Sequence, residues 1–263
     1  NRYFNNVSTS SYTYTGIYPE DPGLLDVNVI EHMYGTSTTT NLGDTTYTFD
    51  DKPVFLKTLV DSGGNDTIDA SNQTEEVIIN LNGGTAASIG LWTESEQLQY
   101  YSALGVNSVT LASMSAAIVT VNAGQSAGGT HTSPFLIGWY TGEDNLQLPS
   151  SSIIENVIGG AGNDIITGRD NLSNTIKGGA GDDTLNGGAF YGDGTFSNRA
   201  IFSGPIDNYT ITGGMGSAQV TDNIGTDGTD LVMNFTRFNF SDAVYDVVNS
   251  KIVGKPSWQN TEP

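Results

Sequence analysis

The chain has 263 residues, with 29 acidic against 9 basic side chains, no cysteine and 33 glycines. A formal charge of -20 argues against nucleic acid or an anionic membrane surface as partner, since both need clustered Lys and Arg. Absence of cysteine removes disulfides, Cys-ligated zinc, iron–sulfur clusters and thiol catalysis, and no apolar run approaches the ~20 residues of a membrane helix.

The length suits one elongated or two compact domains, and 37% hydrophobic content is too rich for a disordered acidic tail. The chain opens at Asn1 without a charged-then-apolar leader, as expected of a processed product or an excised fragment. The first predicted helix starts near Leu24, after Asp21-Pro22, and stops at Gly35. Asp61 to Asp69 (DSGGNDTID) reads as a glycine-rich half-turn followed by a strand. The stretch 85–151 reads as an insertion. It holds a predicted short helix (Glu94 to Leu104), an alanine- and valine-rich stretch (Val109 to Val121), a loop (Gly124 to His131) and an aromatic run (Phe135 to Tyr140). Its aromatics Trp92, Tyr100, Tyr101, Trp139 and Tyr140 are read as covering an open sheet edge. The alternative is a sugar-stacking or protein-docking surface.

Repeats follow. Gly159 to Thr167 (GGAGNDIIT) and Gly178 to Asn186 (GGAGDDTLN) match the nonapeptide GGxGxDxUx, with U a large aliphatic residue; this is the calcium-binding RTX repeat. Between them, Gly168 to Lys177 is a ten-residue variant with Asn174 where aspartate is expected. The next unit, from Gly187, has decayed, although Asp193 lies as far from Asn174 as Asp183 does from Asp164. Beyond Tyr191, period-two alternation with Asp227-Gly228 between apolar runs predicts antiparallel hairpins. Asp222, Asp227 and Asp230 are read as hairpin-turn residues in preference to cation ligands, and 251–263 as a polar tail.

The spacing has a physical basis. Each unit supplies six turn residues and a three-residue strand whose middle side chain points inward, with Ile165, Ile176 and Leu185 expected as the buried column. Glycines leave turn carbonyls facing a cation, and calcium takes six to eight oxygens at ~2.3–2.6 Å. Alternate units share an edge of a two-layer roll. Asp164 and Asp183 are therefore expected to hold one ion between them, and Asn174 with Asp193 a weaker one on the opposite edge.

Leu24 to Phe49 (LLDVNVIEHMYGTSTTTNLGDTTYTF), Asp61 to Ser71, Val77 to Gly84 (VIINLNGG) and Ser152 to Asp164 (SIIENVIGGAGND) resemble, in the same order, the C-terminal RTX domain of serralysin-type secreted metallopeptidases. That resemblance implies several calcium ions. The first would use carbonyls of Asn41, Gly43 and Thr45 with the carboxylates of Asp61 and Asp66, beside Gly63. A second would join Gly64 and Asp66 to the Ile153 carbonyl and the Glu155 side chain. A third would use Gly160, Gly162 and Asp164 with Gly178 and Ala180, and Gly179, Gly181 and Asp183 would begin the next half-site. Asn41 replaces an arginine common in the family, at a position whose ligand is a carbonyl.

Two departures matter. The family's catalytic zinc needs HExxHxxGxxH, whereas this chain has only His32 and His131; the one G-x-S-x-G match, Gly124 to Gly128 (GQSAG), falls in the stretch read as a loop and not at a strand-to-helix elbow. The insertion at 85–151 also lengthens the family's connection. The expected fold is all-β: a calcium-stabilised parallel β-roll over 36–194, preceded by an N-terminal segment with its junction helix (1–35) and followed by an antiparallel β unit (195–250). The expected function is a non-catalytic calcium-binding module of a secreted or cell-surface bacterial protein, exported by a type I secretion channel and folding on calcium. Two alternatives stay open: the C-terminal half of a zinc peptidase whose catalytic half is not in this chain, and a surface adhesin or carbohydrate-binding module using the insertion's aromatics.

Overall fold

The computed structural model describes residues 2–8, 11–17, 19–103, 105, 107–112, 115, 141–189, 197–214 and 216–254. The fold is largely β. Strands β1 (Arg2–Ser8) and β2 (Ser11–Ile17) form an antiparallel hairpin with Arg2 opposite Ile17. Helix α1 (Leu24–Tyr34) ends at Gly35 (φ 89°), whose amide donates to the Glu31 carbonyl. None of its residues is buried; Leu25, Val29, Met33 and Tyr34 are exposed. Polar contacts tether it, with Leu24 N donating to Gln147 Oε1 (2.9 Å) and Ser151 Oγ to Glu31 Oε1 (2.5 Å).

Very short strands follow: β3 (Thr46–Thr48), β4 (Lys57–Thr58), β5 (Thr67–Asp69), β6 (Ile78–Asn80) and β7 (Thr85–Ala87). Helix α2 (Glu94–Ala103) starts from a reciprocal cap, Thr93 N to Glu96 Oε2 and Glu96 N to Thr93 Oγ1, and Lys52 pairs with Glu96 at 2.9 Å. Then come β8 (Leu146–Leu148), β9 (Asn156–Ile158), β10 (Ile165–Thr167), β11 (Thr175–Lys177), β12 (Thr184–Asn186) and β13 (Arg199–Ile201). Three longer strands, β14 (Tyr209–Gly214), β15 (Ser217–Asp222) and β16 (Thr229–Met233), are followed by three short ones, β17 (Arg237–Asn239), β18 (Val244–Asp246) and β19 (Lys251–Val253).

Among the described residues, successive repeat strands alternate between two sheets. One runs β3-β5-β9-β11-β13-β17 in parallel and continues antiparallel into β18 and β19. The other runs β6-β10-β12-β16 in parallel and continues antiparallel into β15 and β14. A three-stranded sheet, β4-β8-β7, joins the ends of the insertion to the segment before β5. The antiparallel pairing expected throughout 195–250 thus holds only in part. Strands β13, β16 and β17 extend the parallel ladders, because Ala200, Val232 and Phe238 fit the same core.

Strands of both sheets bury an inward residue: Ile68, Val157, Ile176, Ala200 and Phe238 in the first sheet, at the middle of β5, β9, β11, β13 and β17, and in the second Ile79, Ile166 and Leu185 at the middle of β6, β10 and β12, with Val232 of β16 opposite Leu185. They belong to one cluster reaching from Phe55 to Val247. The expected column is corrected here. Ile165 is 42% exposed and Ile166 fully buried, since side chains alternate along a strand and Asp164 already points inward at the rim. Ile176 also lies in the other sheet from Leu185, so there are two columns. The helices predicted at Leu24 and Glu94 form as expected, while His131, Trp139, Tyr140 and Asp193 lie outside the described residues.

Candidate functional site

The turns between sheets stack on two edges, and one rule organises both. The side chain at the head of a strand accepts the backbone N–H of the residue at the matching place one turn earlier. On the first edge, Val77 N donates to Asp164 Oδ1 (2.8 Å), Asp164 N to Asp183 Oδ1 (2.8 Å) and Asp183 N to Asp230 Oδ1 (2.9 Å). On the second, Thr45 N donates to Asp66 Oδ1 (2.7 Å), Asp66 N to Glu155 Oε2 (2.9 Å) and Asn174 N to Asn198 Oδ1 (2.9 Å).

The first edge brings together Gly160, Gly162, Asp164, Gly178, Gly179, Ala180, Gly181 and Asp183. Gly160 N donates to Asp164 Oδ2 (2.7 Å), and the Gly160 carbonyl accepts from Ala180 N (2.9 Å). Gly179 (φ 122°) must be glycine, because a Cβ there would overlap the Gly160 carbonyl oxygen; Gly181 stands likewise against the Gly162 carbonyl. Gly178 lies against Asp183, and Gly159 against Asp164 and the Gly178 carbonyl. Sequence reasoning missed Asp230. It lies in β16, not in a turn, and heads the third rung because Leu231 pairs with Thr184. A signal was present: Gly225 to Met233 (GTDGTDLVM) keeps the nonapeptide's first and third glycines, its aspartate and its aliphatic residue, and Gly228 stands against the Gly181 carbonyl as Gly181 does against that of Gly162. Asp222 behaves as a turn residue, whereas Asp227 is buried and bonds to residues distant in the chain. Asp222 accepts from the amides of Ile224 and Gly225, and Asp227 accepts from Ser203 N and Tyr209 Oη.

The second edge gathers Asn41, Gly43, Thr45, Asp61, Gly63, Gly64, Asp66, Ile153 and Glu155. Asp61 accepts from Tyr47 Oη (2.6 Å) and Gly63 N (3.0 Å), its carbonyl accepts from Ile153 N (3.1 Å), and Thr45 Oγ1 donates to the Gly43 carbonyl. A Cβ on Gly64 would press on the Gly43 carbonyl and Asp66. Asn41 adopts φ 50°, and its amide donates to Tyr47 Oη and the Val60 carbonyl. Further along, Asn198 stands beside Asn174, and Asp193 lies outside the described residues.

Burial makes these carboxylates unusual. It pushes Asp164 up to about 6; burial, then the charges of Asp164, Asp227 and Asp182, push Asp183 up to about 7; burial, then Asp183, Asp227 and Asp182, push Asp230 up to about 8. Burial also raises Asp66 and Glu155. Among the described residues, Asp66 Oδ2 and Asp183 Oδ2 are buried carboxylate oxygens with no hydrogen-bond partner and are thus open to accept from a further group. Among the described residues no three His, Asp or Glu side chains gather closely enough to hold a metal by themselves. A cation here would complete its coordination with turn carbonyls, as calcium does. His32 is exposed on α1. No described helix is long and apolar enough to cross a membrane.

Several known proteins resemble the chain. A serralysin of Photorhabdus luminescens is 29% identical over 187 residues, 66% of this chain and 28% of that protein. A metallopeptidase of Pseudomonas marginalis is 30% identical over 174 residues, covering 61% and 25%. A serralysin of Photorhabdus sp. (strain Az29) is 35% identical over 100 residues, covering 34% and 20%. No protein-family model matches. The chain therefore contains a serralysin-related region and spans about a quarter of the length of these relatives.

Proposed function

We propose that the chain is a non-catalytic, calcium-binding module of a secreted or cell-surface protein, a parallel β-roll that completes folding outside the cell. The observation that carries this reading is Asp183 Oδ2, a buried and unpartnered carboxylate oxygen within the rungs that join Asp164, Asp183 and Asp230. Gly160, Gly162, Asp164, Gly178 and Ala180 would hold one ion. Gly179, Gly181, Asp183 and Asp230 would hold the next, and the groups around Asp61, Asp66 and Glu155 would hold ions on the other edge. Calcium supplies the positive charge that these buried carboxylates lack.

The chain's own chemistry then explains a calcium switch. Without a cation, the acids on each edge either repel one another or take up protons at a cost in charge balance. Where calcium is scarce that cost favours an open chain suited to export, for which a type I secretion channel is the proposed route. At extracellular millimolar calcium, above dissociation constants of roughly 10⁻⁴–10⁻³ M, binding energy adds to folding energy. The insertion at 85–151 is proposed to present a protein or glycan surface.

A second reading is favoured by the similarity to serralysins: the module belongs to a metallopeptidase whose catalytic part is not in this chain. Sequence upstream of Asn1 decides it, an HExxH motif being the expected mark. The calcium reading is tested by titrating chelator-stripped protein with calcium, with magnesium as control, followed by circular dichroism and calorimetry. A cooperative gain of β structure with calcium alone is expected; an equally stable fold in chelator would reject it.

A further inference from the structure

The second edge changes character along its length. Asp66 and Glu155 end in carboxylates, but the next two rungs end in carboxamides, Asn174 and Asn198, both fully buried. Every polar atom of the Asn174 side chain is engaged. Its Oδ1 accepts from Arg169 N (3.0 Å), and its Nδ2 donates to the carbonyls of Arg169 (2.8 Å), Leu172 (3.2 Å) and Gly187 (2.9 Å). Asn198 repeats the arrangement one turn on, its Nδ2 donating to the carbonyls of Gly187 and Asn234 and, at 3.4 Å, Gly188.

On the aspartate edge the corresponding atom, Asp183 Oδ2, is an acceptor without a donor. Turn carbonyls on the two edges thus face opposite chemistry. A cation could satisfy them on one; on the other, two N–H₂ groups already do. Nor does the surrounding charge invite a cation. The Arg169 guanidinium lies in the same turn, donating to the carbonyls of Ser152 and Ser150, and the Asp170 carboxylate is occupied by Ala189 N (2.7 Å).

We infer that the Asn174–Asn198 stretch is a metal-independent lock, in which side-chain amides take the place of a calcium ion and hold the turns closed before any ion arrives. Asn174 is on this account not a calcium ligand. The inference rests on the calcium reading of the Asp164–Asp183–Asp230 edge, from which the following experiment separates it.

Hydrogen–deuterium exchange is measured on the full chain in chelator and in millimolar calcium. Amides of Arg169, Asn174 and Arg199 should be protected in both, to within about threefold, whereas those of Val77, Asp164 and Asp183 should gain about 100-fold at calcium 100 times its dissociation constant. If the amides at 169, 174 and 199 exchange freely in chelator and are protected only by calcium, the lock is overturned. If they are protected throughout while the aspartate edge ignores calcium, the lock stands and the calcium reading falls. Asn174→Asp replaces the donors by a carboxylate. It should lower protection of 169–177 in chelator about 10-fold or more, restore it with calcium, and add one ion in native mass spectrometry. Unchanged protection and stoichiometry in that variant would show that the Asn174 amide holds nothing; should it fail to fold, the wild-type exchange pattern decides alone.

Discussion

Asp164 and Asp183, one repeat pair apart, are joined by a single hydrogen bond: the backbone amide of the first donates to Oδ1 of the second at 2.8 Å, leaving Oδ2 of Asp183 buried with no partner. Asp183 is therefore fit for two jobs. In Asp183 one oxygen aligns adjacent turns and the other is left for the proposed cation, whereas in Asp164 the second oxygen accepts from Gly160 N.

Those jobs separate in Asp183→Asn. An asparagine Oδ1 keeps the acceptor for Asp164 N while removing the buried charge. In chelator at pH 8 this variant should melt higher than wild type, since a desolvated carboxylate has been neutralised. In calcium it should melt lower and bind calcium about tenfold or more weakly. Thermal melts with and without calcium check both signs.

The raised carboxylates give the metal-free protein an inverted pH profile. Asp164, Asp183 and Asp230 hold protons to about 6, 7 and 8 in the fold, whereas an unfolded aspartate releases its proton near ~3.9. Across that window the folded chain binds more protons than the unfolded one. Stability from these groups is complete below about pH 4 and declines as pH rises through their folded values. Chelated protein should thus melt higher at pH 5 than at pH 8. Calcium, which binds the ionised form, should reverse the trend.

Two tyrosines close the ends of the stack in matching fashion. Tyr47 Oη donates to Asp61 Oδ2 and Tyr209 Oη to Asp227 Oδ2, each at 2.6 Å, and Tyr209 Oη also accepts from Gly204 N. Tyr209→Phe leaves the Gly204 amide and a buried carboxylate short of a partner and should cost about 1–3 kcal/mol. Chemical denaturation in saturating calcium measures it.

Neighbouring isoleucines provide a test of register. Ile166→Ala should destabilise by about 2–5 kcal/mol through cavity formation, and Ile165→Ala by no more than about 0.5 kcal/mol, because Ile165 faces solvent. Equal effects would mean that β10 is turned over.

Much of this was legible in the sequence wherever the nonapeptide is intact. Gly159 to Thr167 and Gly178 to Asn186 announce turn, strand and ladder aspartate, because the glycines are required by carbonyl approaches that no other residue tolerates. The inward residue of GGAGNDIIT was misread by one place; two adjacent isoleucines carry no alternation, and only the inward Asp164 fixes the phase. Asp230 and Asn198 were missed for a different reason. The turn before Asp230 keeps only part of the glycine signature, Gly225 and Gly228, Asn198 has none in phase, and the partners that define them, Asp183 and Asn174, lie 47 and 24 residues away along the chain.

The parallel pairing also sets an order of events. Strands β5 and β6 find their next neighbours only in β9 and β10, Thr67 against Asn156 and Ile78 against Ile165. Closing loops of that span is slow, because chain entropy is lost before any contact rewards it. Until residues 156–167 arrive, β5 keeps one bare edge, its other being paired with β3, and β6 has the antiparallel bridge from Ile78 to Ser88 as local cover. The nascent chain is then most exposed to sticking to its own copies, and a high negative charge is the safeguard it carries through that interval.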